Sequence, residues 1–230
     1  MRVGIIGAGC VGSVLAERIS TLKHSTEIYF IAKERYAERL RNGIVVNDTR
    51  VNIKVLCEDA SSLDLIFVCV KNFDLLSACE DIRPFVDGHT ILFPLLNSVT
   101  PTPSIKEVYP NNRVLYGYIS KIDAYNDGHG FKYNVAGDIH FGYSENSNPK
   151  PELIEIKEML DLAGFTTFID KDMKRGIWKK WMLNVGANQV SALTEADYIK
   201  SPKIPVNDAN KSIGSKINAV GMTVFVNKYA

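Results

Sequence analysis

The feature that most constrains the fold of this chain is a glycine-rich turn, GAGCVG, that begins at residue 7. A short apolar run, residues 2–6, precedes the turn, and an amphipathic stretch, residues 13–22, follows it. Strand, glycine turn and helix in this order are typical of a dinucleotide-binding βαβ unit, in which the helix N-terminus attracts the pyrophosphate. The predicted dinucleotide-binding residues of the turn are Gly7, Ala8, Gly9, Cys10, Val11 and Gly12.

The end of the second predicted strand, residues 27–31, indicates which dinucleotide binds. NAD sites usually carry an acidic residue there for the ribose 2′-hydroxyl, whereas a basic residue accommodates the 2′-phosphate of NADP. Here Lys33 comes first and Arg35 is near, which favours NADP(H), although the acidic Glu34 lies between them. The alternative is that these charges open a solvated helix that ends before Gly43. That alternative fits Arg35 better than Lys33.

Two later apolar runs end in polar residues. Residues 65–70 form a continuous apolar run, as expected of a parallel strand buried on both faces, and Lys71 follows it. The predicted strand 90–96 is followed by Asn97. Because open α/β sheets bind ligands at the carboxyl ends of their strands, Lys71 and Asn97 are candidate site residues. A plain turn position is the alternative for both.

The rest of the chain predicts further helices and strands. Helices are predicted at residues 73–82 and 151–162, and strands at 44–46, 51–55, 114–121, 131–135, 139–143 and 166–169. The first two strands alternate like a hairpin or a pair of edge strands around Asn47 and Asp48. The strands beyond residue 113 are expected to extend the sheet with antiparallel pairing.

The stretch WKKWMLNVGAN, residues 178–188, predicts a mostly apolar helix that carries a row of polar residues. At about 100° per residue, Lys180, Asn184 and Asn188 are displaced by only about 40° from one to the next. Apolar residues flank this row on both sides, which is unlike a solvated face and indicates a site. Lys179 fits a solvated cluster of charges. For Lys180, geometry alone leaves a functional role and membership of that cluster equally open.

Charge balance and apolar runs exclude several kinds of partner. The chain has 27 Lys and Arg against 26 Asp and Glu, so its net charge of +1 gives no basis for binding nucleic acid or an anionic membrane. No apolar run approaches the ~20 residues of a membrane span, and no signal-peptide pattern precedes the first strand. We expect a cytoplasmic protein with a small-molecule partner.

The cysteines and histidines show no pattern of a metal or redox site. The four cysteines form no CxxC pair and lie in apolar sequence, which favours buried free thiols. His129 and His140 lack metal-ligand spacing, which favours structural or surface roles. No metal site is predicted.

Together these motifs resemble the ketopantoate reductases (2-dehydropantoate 2-reductases), which make D-pantoate with NADPH. The matching segments are GAGCVG, the basic residue after the second strand, VK at 70–71, LLNS at 95–98, GDIHFG at 137–142 and WKKWMLNVGANQVSALT at 178–194. The resemblance spans residues 1–194. It implies an NADP-dependent oxidoreductase that acts on a small 2-oxo acid in pantothenate and coenzyme A biosynthesis.

The resemblance also implies roles for individual residues. Lys180 aligns with the family's catalytic lysine, the general acid, and Asn184 and Asn188 align with its substrate-contacting asparagines. Asn97 aligns with the asparagine near the nicotinamide, and Lys71 with an active-site lysine. A lysine ammonium suits this chemistry, since it stabilises the alkoxide character that hydride transfer creates and gives up a proton.

The chain departs from the family pattern in two places. Ser98 stands where the family usually has glycine, and the family's later serine and acidic motifs are not found after Thr194.

From the motifs and the resemblance together, we expect an α/β fold with a Rossmann-type NADP-binding domain and an antiparallel extension over residues 1–170. A partial, all-helical substrate and dimerisation domain is expected over 171–230, with a shortened or divergent end. A homodimer is a further expectation.

Two alternatives to a ketopantoate reductase stay open at this point. One is another reductase with a lysine–asparagine helix, of the β-hydroxyacid or glycerol-3-phosphate dehydrogenase kind. The other is a catalytically incomplete protein that binds NADP without turnover. NADPH oxidation with different oxo substrates separates all three.

Overall fold

The structure is a computed structural model that describes residues 1–22, 25–57 and 61–194, with side chains described through residue 185. It divides into two compact units, Met1–Ile177 and a second that begins at Trp178, and each is described by itself. Most of the predicted helical domain lies outside the described residues, so the domain boundary at residue 170 stays a prediction. Within the described ranges, no helix is long and apolar enough to cross a membrane.

The described chain alternates strands and helices except over residues 44–68 and 113–142, where strands follow one another. The strands are β1 (Arg2–Ile6), β2 (Glu27–Ile31), β3 (Ile44–Val46), β4 (Thr49–Val51), β5 (Lys54–Leu56), β6 (Leu65–Val68), β7 (Ile91–Pro94), β8 (Arg113–Val114), β9 (Tyr116–Ser120), β10 (Tyr125–Asn126), β11 (Phe131–Lys132), β12 (Asp138–Gly142) and β13 (Thr166–Ile169). The helices are α1 (Cys10–Ile19), α2 (Glu34–Arg41), α3 (Leu75–Ile82), α4 (Pro101–Val108), α5 (Pro151–Leu162) and α6 (Met173–Thr194). Short 3₁₀ turns cover Asn72–Asp74 and Arg83–Phe85.

A six-stranded parallel sheet forms the centre of the first unit. Its strand order is β5-β2-β1-β6-β7-β8, and every neighbouring pair is parallel. Taken by order along the chain, this is the 3-2-1-4-5-6 arrangement of the Rossmann fold. The predicted Rossmann-type domain is therefore confirmed. The order reverses between β1 and β6, and ligands bind outside the carboxyl ends of the strands at such a reversal.

Alternate residues of the central strands face two different cores, which is why the strands read as continuous apolar runs. On β6, Phe67 belongs to a core that includes α1 and α5 residues, whereas Ile66 and Val68 belong to a core that includes α3 and α4 residues. Phe67 and Phe93 are fully buried, with ring centroids 5.0 Å apart. Burial of each such side chain contributes roughly 1.5–3 kcal/mol.

Two smaller sheets pair strands of the first unit differently from the prediction. Strands β10-β11-β3-β4 form one sheet and β13-β12-β9 the other. The pairing of β9 with β12 is antiparallel, but β12 with β13 and β11 with β3 are parallel. The expected antiparallel extension of the central sheet is thus corrected to two separate, mixed sheets.

Two predicted strands are each divided by the structure. The hairpin around Asn47 and Asp48 is real, with both residues at positive φ, but it ends at Val51. Residues 54–56 instead form β5 and join β2 in the parallel sheet. The predicted strand 114–121 also divides, into β8 and β9. Gly117 lies so close to Phe93 that an added Cβ would be 2.3 Å from the ring, so glycine permits β9 to pass β7 and pair with β12.

Candidate active site

The glycine turn has three glycines with three different surroundings. Gly7 has φ of +98°, and a Cβ there would lie 2.7 Å from the backbone of Cys69. A Cβ on Gly12 would lie 1.9 Å from the carbonyl oxygen of Gly7, so this glycine permits close packing of helix and strand. A Cβ on Gly9 would meet no described atom within 4 Å. The backbone at Gly9 therefore borders open space, as the approach of a pyrophosphate requires.

Helix α1 begins directly at this open space. Its N-cap is Gly9, which offers no side-chain capping hydrogen bond. The first N–H groups of a helix have no partner within the helix, and the helix dipole favours an anion at this end. The residues present therefore fit a dinucleotide pyrophosphate.

Lys71 and Asn97 lie at the same sheet edge as the glycine turn. The Cys69 amide donates to the carbonyl of Ile6 at 2.8 Å, which holds the segment after β6 beside the end of β1. Lys71 and Asn97 are both exposed. The hydroxyl of Thr100 donates to the side-chain oxygen of Asn72 at 3.5 Å and links the segments that follow β6 and β7. The carboxyl edge of β1, β6 and β7 thus carries the turn, a lysine and an amide.

An exposed aromatic ring accompanies Lys71. The Lys71 Nζ lies 5.9 Å from the ring centroid of Phe73, and that side chain is 80% exposed. A large exposed aromatic beside an open edge is a surface on which a ligand can pack. The sequence prediction placed Phe73 inside a regular helix, whereas it lies in a 3₁₀ turn before α3.

Lys33 lies near the end of β2 and is already paired. It is the N-cap residue of α2, and its Nζ is 2.9 Å from Oδ1 of Asp81 on α3. Both side chains are partly exposed. Arg35, the second basic residue of this segment, has its guanidinium carbon 5.2 Å from the ring centroid of Tyr36. The sequence prediction missed Asp81, because nothing in its local pattern indicates a partner on a different crossover.

Three thiols of this unit, those of Cys10, Cys69 and Cys79, are not activated. Burial raises the pKa of the Cys10 and Cys69 thiols, and it raises that of Cys79 to about 11. Reactive cysteines have a lowered pKa, so these three are inert at neutral pH. No group of His, Cys, Asp or Glu in the described part of the chain is arranged to hold a metal ion.

The second unit contains the polar row on α6. Lys180 is half-buried, and burial lowers the pKa of its ammonium group. Asn184 is also half-buried, whereas Lys179 is exposed. The rings of Trp178 and Trp181 meet edge to face with centroids 5.5 Å apart. Asn188 lies on α6, but its side chain is outside those that the structure describes.

The structure described so far is that of a Rossmann-type protein with an open glycine turn at the start of α1 and a half-buried lysine on a later helix. The ketopantoate reductase PanE/ApbA family matches residues 3–146, which is more than half of the chain. The chain belongs to this family. The resemblance seen in the sequence motifs is therefore confirmed.

Individual relatives are distant. An uncharacterized oxidoreductase, YkpB, of Bacillus subtilis is 22% identical over 189 residues, which cover 79% of this chain and 61% of the relative. A 2-dehydropantoate 2-reductase of Halobacterium salinarum is 24% identical over 204 residues, which cover 86% of this chain and 67% of the relative. The chain thus spans about two thirds of the length of these proteins.

The fold is also that of a solved dehydrogenase. The ternary structure of D-mandelate dehydrogenase with NADH and anilino(oxo)acetate has a TM-score of 0.80 and 18% identity, and the match covers 99% of this chain and 75% of that one. At this identity the likeness shows the fold alone.

Proposed function

We propose that the chain is an NADPH-dependent reductase that converts 2-dehydropantoate (ketopantoate) to D-pantoate. Membership of the family supports the reaction class, and the open glycine turn supports a dinucleotide cofactor. The observation that carries the proposal is the half-buried Lys180, because a partly buried lysine with a lowered pKa is suited to act as a general acid.

Lys180 is the proposed general acid. A bound nicotinamide would supply the hydride for the carbonyl carbon of the substrate. Lys180 stabilises the negative charge that develops on the carbonyl oxygen and donates a proton to it. Because burial lowers its pKa, this lysine gives up a proton more readily near neutral pH than an exposed lysine does.

The asparagines of α6 have a proposed orienting role. The amides of Asn184 and Asn188 hold the hydroxyl and carbonyl groups of the substrate without adding a charge. Asn97 would bind both cofactor and substrate, and Lys71 would bind the cofactor. Both lie at the carboxyl edge of the sheet, where Rossmann domains bind their ligands.

NADP(H) is the proposed cofactor because Lys33 follows β2, where the adenosine ribose binds in this fold. Its ammonium group is a direct partner for a 2′-phosphate. The solved structure of D-mandelate dehydrogenase, which has the same fold, holds NADH, so the fold alone does not select NADPH.

Oxidation of NADPH with three different substrates tests the proposed function. Ketopantoate should support the fastest turnover, and oxaloacetate and dihydroxyacetone phosphate should support little. Faster oxidation with either of the other two would point to a reductase of the β-hydroxyacid or glycerol-3-phosphate dehydrogenase kind. Tight NADPH binding without oxidation would identify a catalytically incomplete NADP-binding protein.

The assembly and location of the chain complete the proposed function. We expect a homodimer in the cytoplasm with a small 2-oxo acid as substrate, on the basis of composition and family. Light scattering after size-exclusion chromatography measures the molar mass directly. A mass of twice 25.6 kDa is the expected result, and a monomer would contradict it.

A further inference from the structure

We propose that Asp81 is a specificity-determining residue that weakens the preference of this chain for NADPH over NADH. The inference rests on the proposed nicotinamide-dependent function and deepens its account of the cofactor. It starts from one contact: Asp81 Oδ1 lies 2.9 Å from the Nζ of Lys33, the residue assigned to the 2′-phosphate.

The contact joins two elements that flank the adenosine side of the sheet. Lys33 caps α2, which follows β2, whereas Asp81 lies in the last turn of α3, which follows β6. The side chains of Lys33 and Asp81 are 43% and 32% exposed, so a ligand can reach the pair from solvent. An acidic residue therefore stands beside the predicted 2′-phosphate position without being part of the β2 segment.

Charge decides what this pair does to each cofactor. A 2′-phosphate held by the Lys33 ammonium would bring its own negative charge to within a few ångströms of the Asp81 carboxylate. Like charges at about 5 Å repel even in water, and a phosphate carries more than one charge. We expect this repulsion to weaken NADPH binding about tenfold relative to a neutral residue at position 81.

NADH would bind beside Lys33 and Asp81 without this charge repulsion. Its ribose carries a neutral 2′-hydroxyl, and a carboxylate is the group that accepts a hydrogen bond from this hydroxyl in NAD sites. Asp81 can thus supply from α3 an acceptor for the ribose 2′-hydroxyl at a place where the segment after β2 presents Lys33. The lysine favours the phosphate, and the aspartate favours the hydroxyl.

The neighbouring Glu80 provides a matched control. It has the same charge and lies one residue earlier, but its carboxylate is paired with Arg83 at 2.7 Å. Both members of that pair are well exposed. Glu80 also attracts Lys33 electrostatically, but removing its charge changes the net charge of α3 equally and leaves the direct contact between Lys33 and Asp81 in place.

The test compares NADPH and NADH dissociation constants, measured by nicotinamide fluorescence, for the unchanged chain, Asp81→Asn and Glu80→Gln. Asp81→Asn should raise the ratio of NADH Kd to NADPH Kd about tenfold, and 1 M salt should reduce this change by screening. Glu80→Gln should change the ratio less than about twofold. A purely structural role of Asp81 would move both constants together, and thermal unfolding of each variant checks that it is folded.

An unchanged ratio in Asp81→Asn, or an equal change in Glu80→Gln, would overturn the inference. If the unchanged chain reduces ketopantoate and the ratio stays constant, the inference alone fails. If the ratio shifts but no substrate is reduced, the inference stands and the proposed reaction fails. Absence of binding of either dinucleotide would overturn both.

Discussion

The glycine edge of the first unit and the polar row of α6 are specified in different ways. At the glycine edge the backbone forms the proposed phosphate-binding site: Gly9 leaves open space, and the N-terminus of α1 supplies N–H groups. On α6 the proposed proton donor is the side chain of Lys180, whose pKa depends on burial. Binding and proton transfer should therefore be separable, and variants at the two places should change different constants.

The largest expected effect is on turnover. Lys180→Ala removes the proposed general acid and should lower kcat roughly 100- to 10,000-fold. NADPH binding should stay within about twofold, because the glycine edge is untouched. Steady-state kinetics with ketopantoate and an NADPH titration measure the two quantities. An unchanged kcat would show that Lys180 is not the acid.

Two glycine variants test whether the glycine edge affects cofactor binding separately from folding. Gly9→Val places its side chain in open space, so folding should be unaffected while NADPH Kd rises at least tenfold, or about 1.4 kcal/mol. Gly12→Val has no such space, since even a Cβ would be 1.9 Å from the Gly7 carbonyl oxygen. It should destabilise the fold by roughly 1–3 kcal/mol or more. Chemical denaturation and NADPH titration separate the two outcomes, and equal stability losses would contradict the assignment.

Reversing the charge near β2 should change cofactor choice. Lys33→Asp puts a second carboxylate beside Asp81, so NADPH should lose roughly tenfold more affinity than NADH. Titration with both dinucleotides gives the two losses. Equal losses would refute a 2′-phosphate role for Lys33.

The smallest effect is expected at the neighbour of the proposed acid. Lys179 is exposed, so Lys179→Ala should change kcat by less than about twofold and stability by no more than roughly 0.5 kcal/mol. The same kinetic assay checks this. A large loss of turnover would mean that the catalytic lysine is Lys179 and not Lys180.

Local sequence patterns predicted the helices and strands whose bounds depend only on their own residues and on the residues that flank them. Strands 2–6, 27–31 and 166–169 and helix 151–162 have their predicted bounds, because each is a short apolar or amphipathic segment between clear turn signals. The glycine turn was readable for the same reason. Its geometry depends on backbone freedom at fixed spacing.

Contacts between segments that are distant in the sequence could not be predicted from local sequence patterns. The splitting of 51–55 and 114–121 depends on which sheet each half joins, and one apolar run does not encode this. His140 was predicted to be structural or at the surface. It lies stacked on Tyr118 and Phe168, with its Nδ1 3.1 Å from Asp170. Such partners, like Asp81 for Lys33, come together only through the topology.

The most direct test of the central claim is the pH dependence of ketopantoate reduction in the unchanged chain, Lys180→Arg and Lys179→Arg. A general acid works only when protonated, so activity should fall as pH rises through the lowered pKa of Lys180. Arginine stays protonated and cannot donate in this way, so Lys180→Arg should lose most activity together with this alkaline limb. Lys179→Arg should keep both. The same alkaline limb in all three proteins would contradict the account.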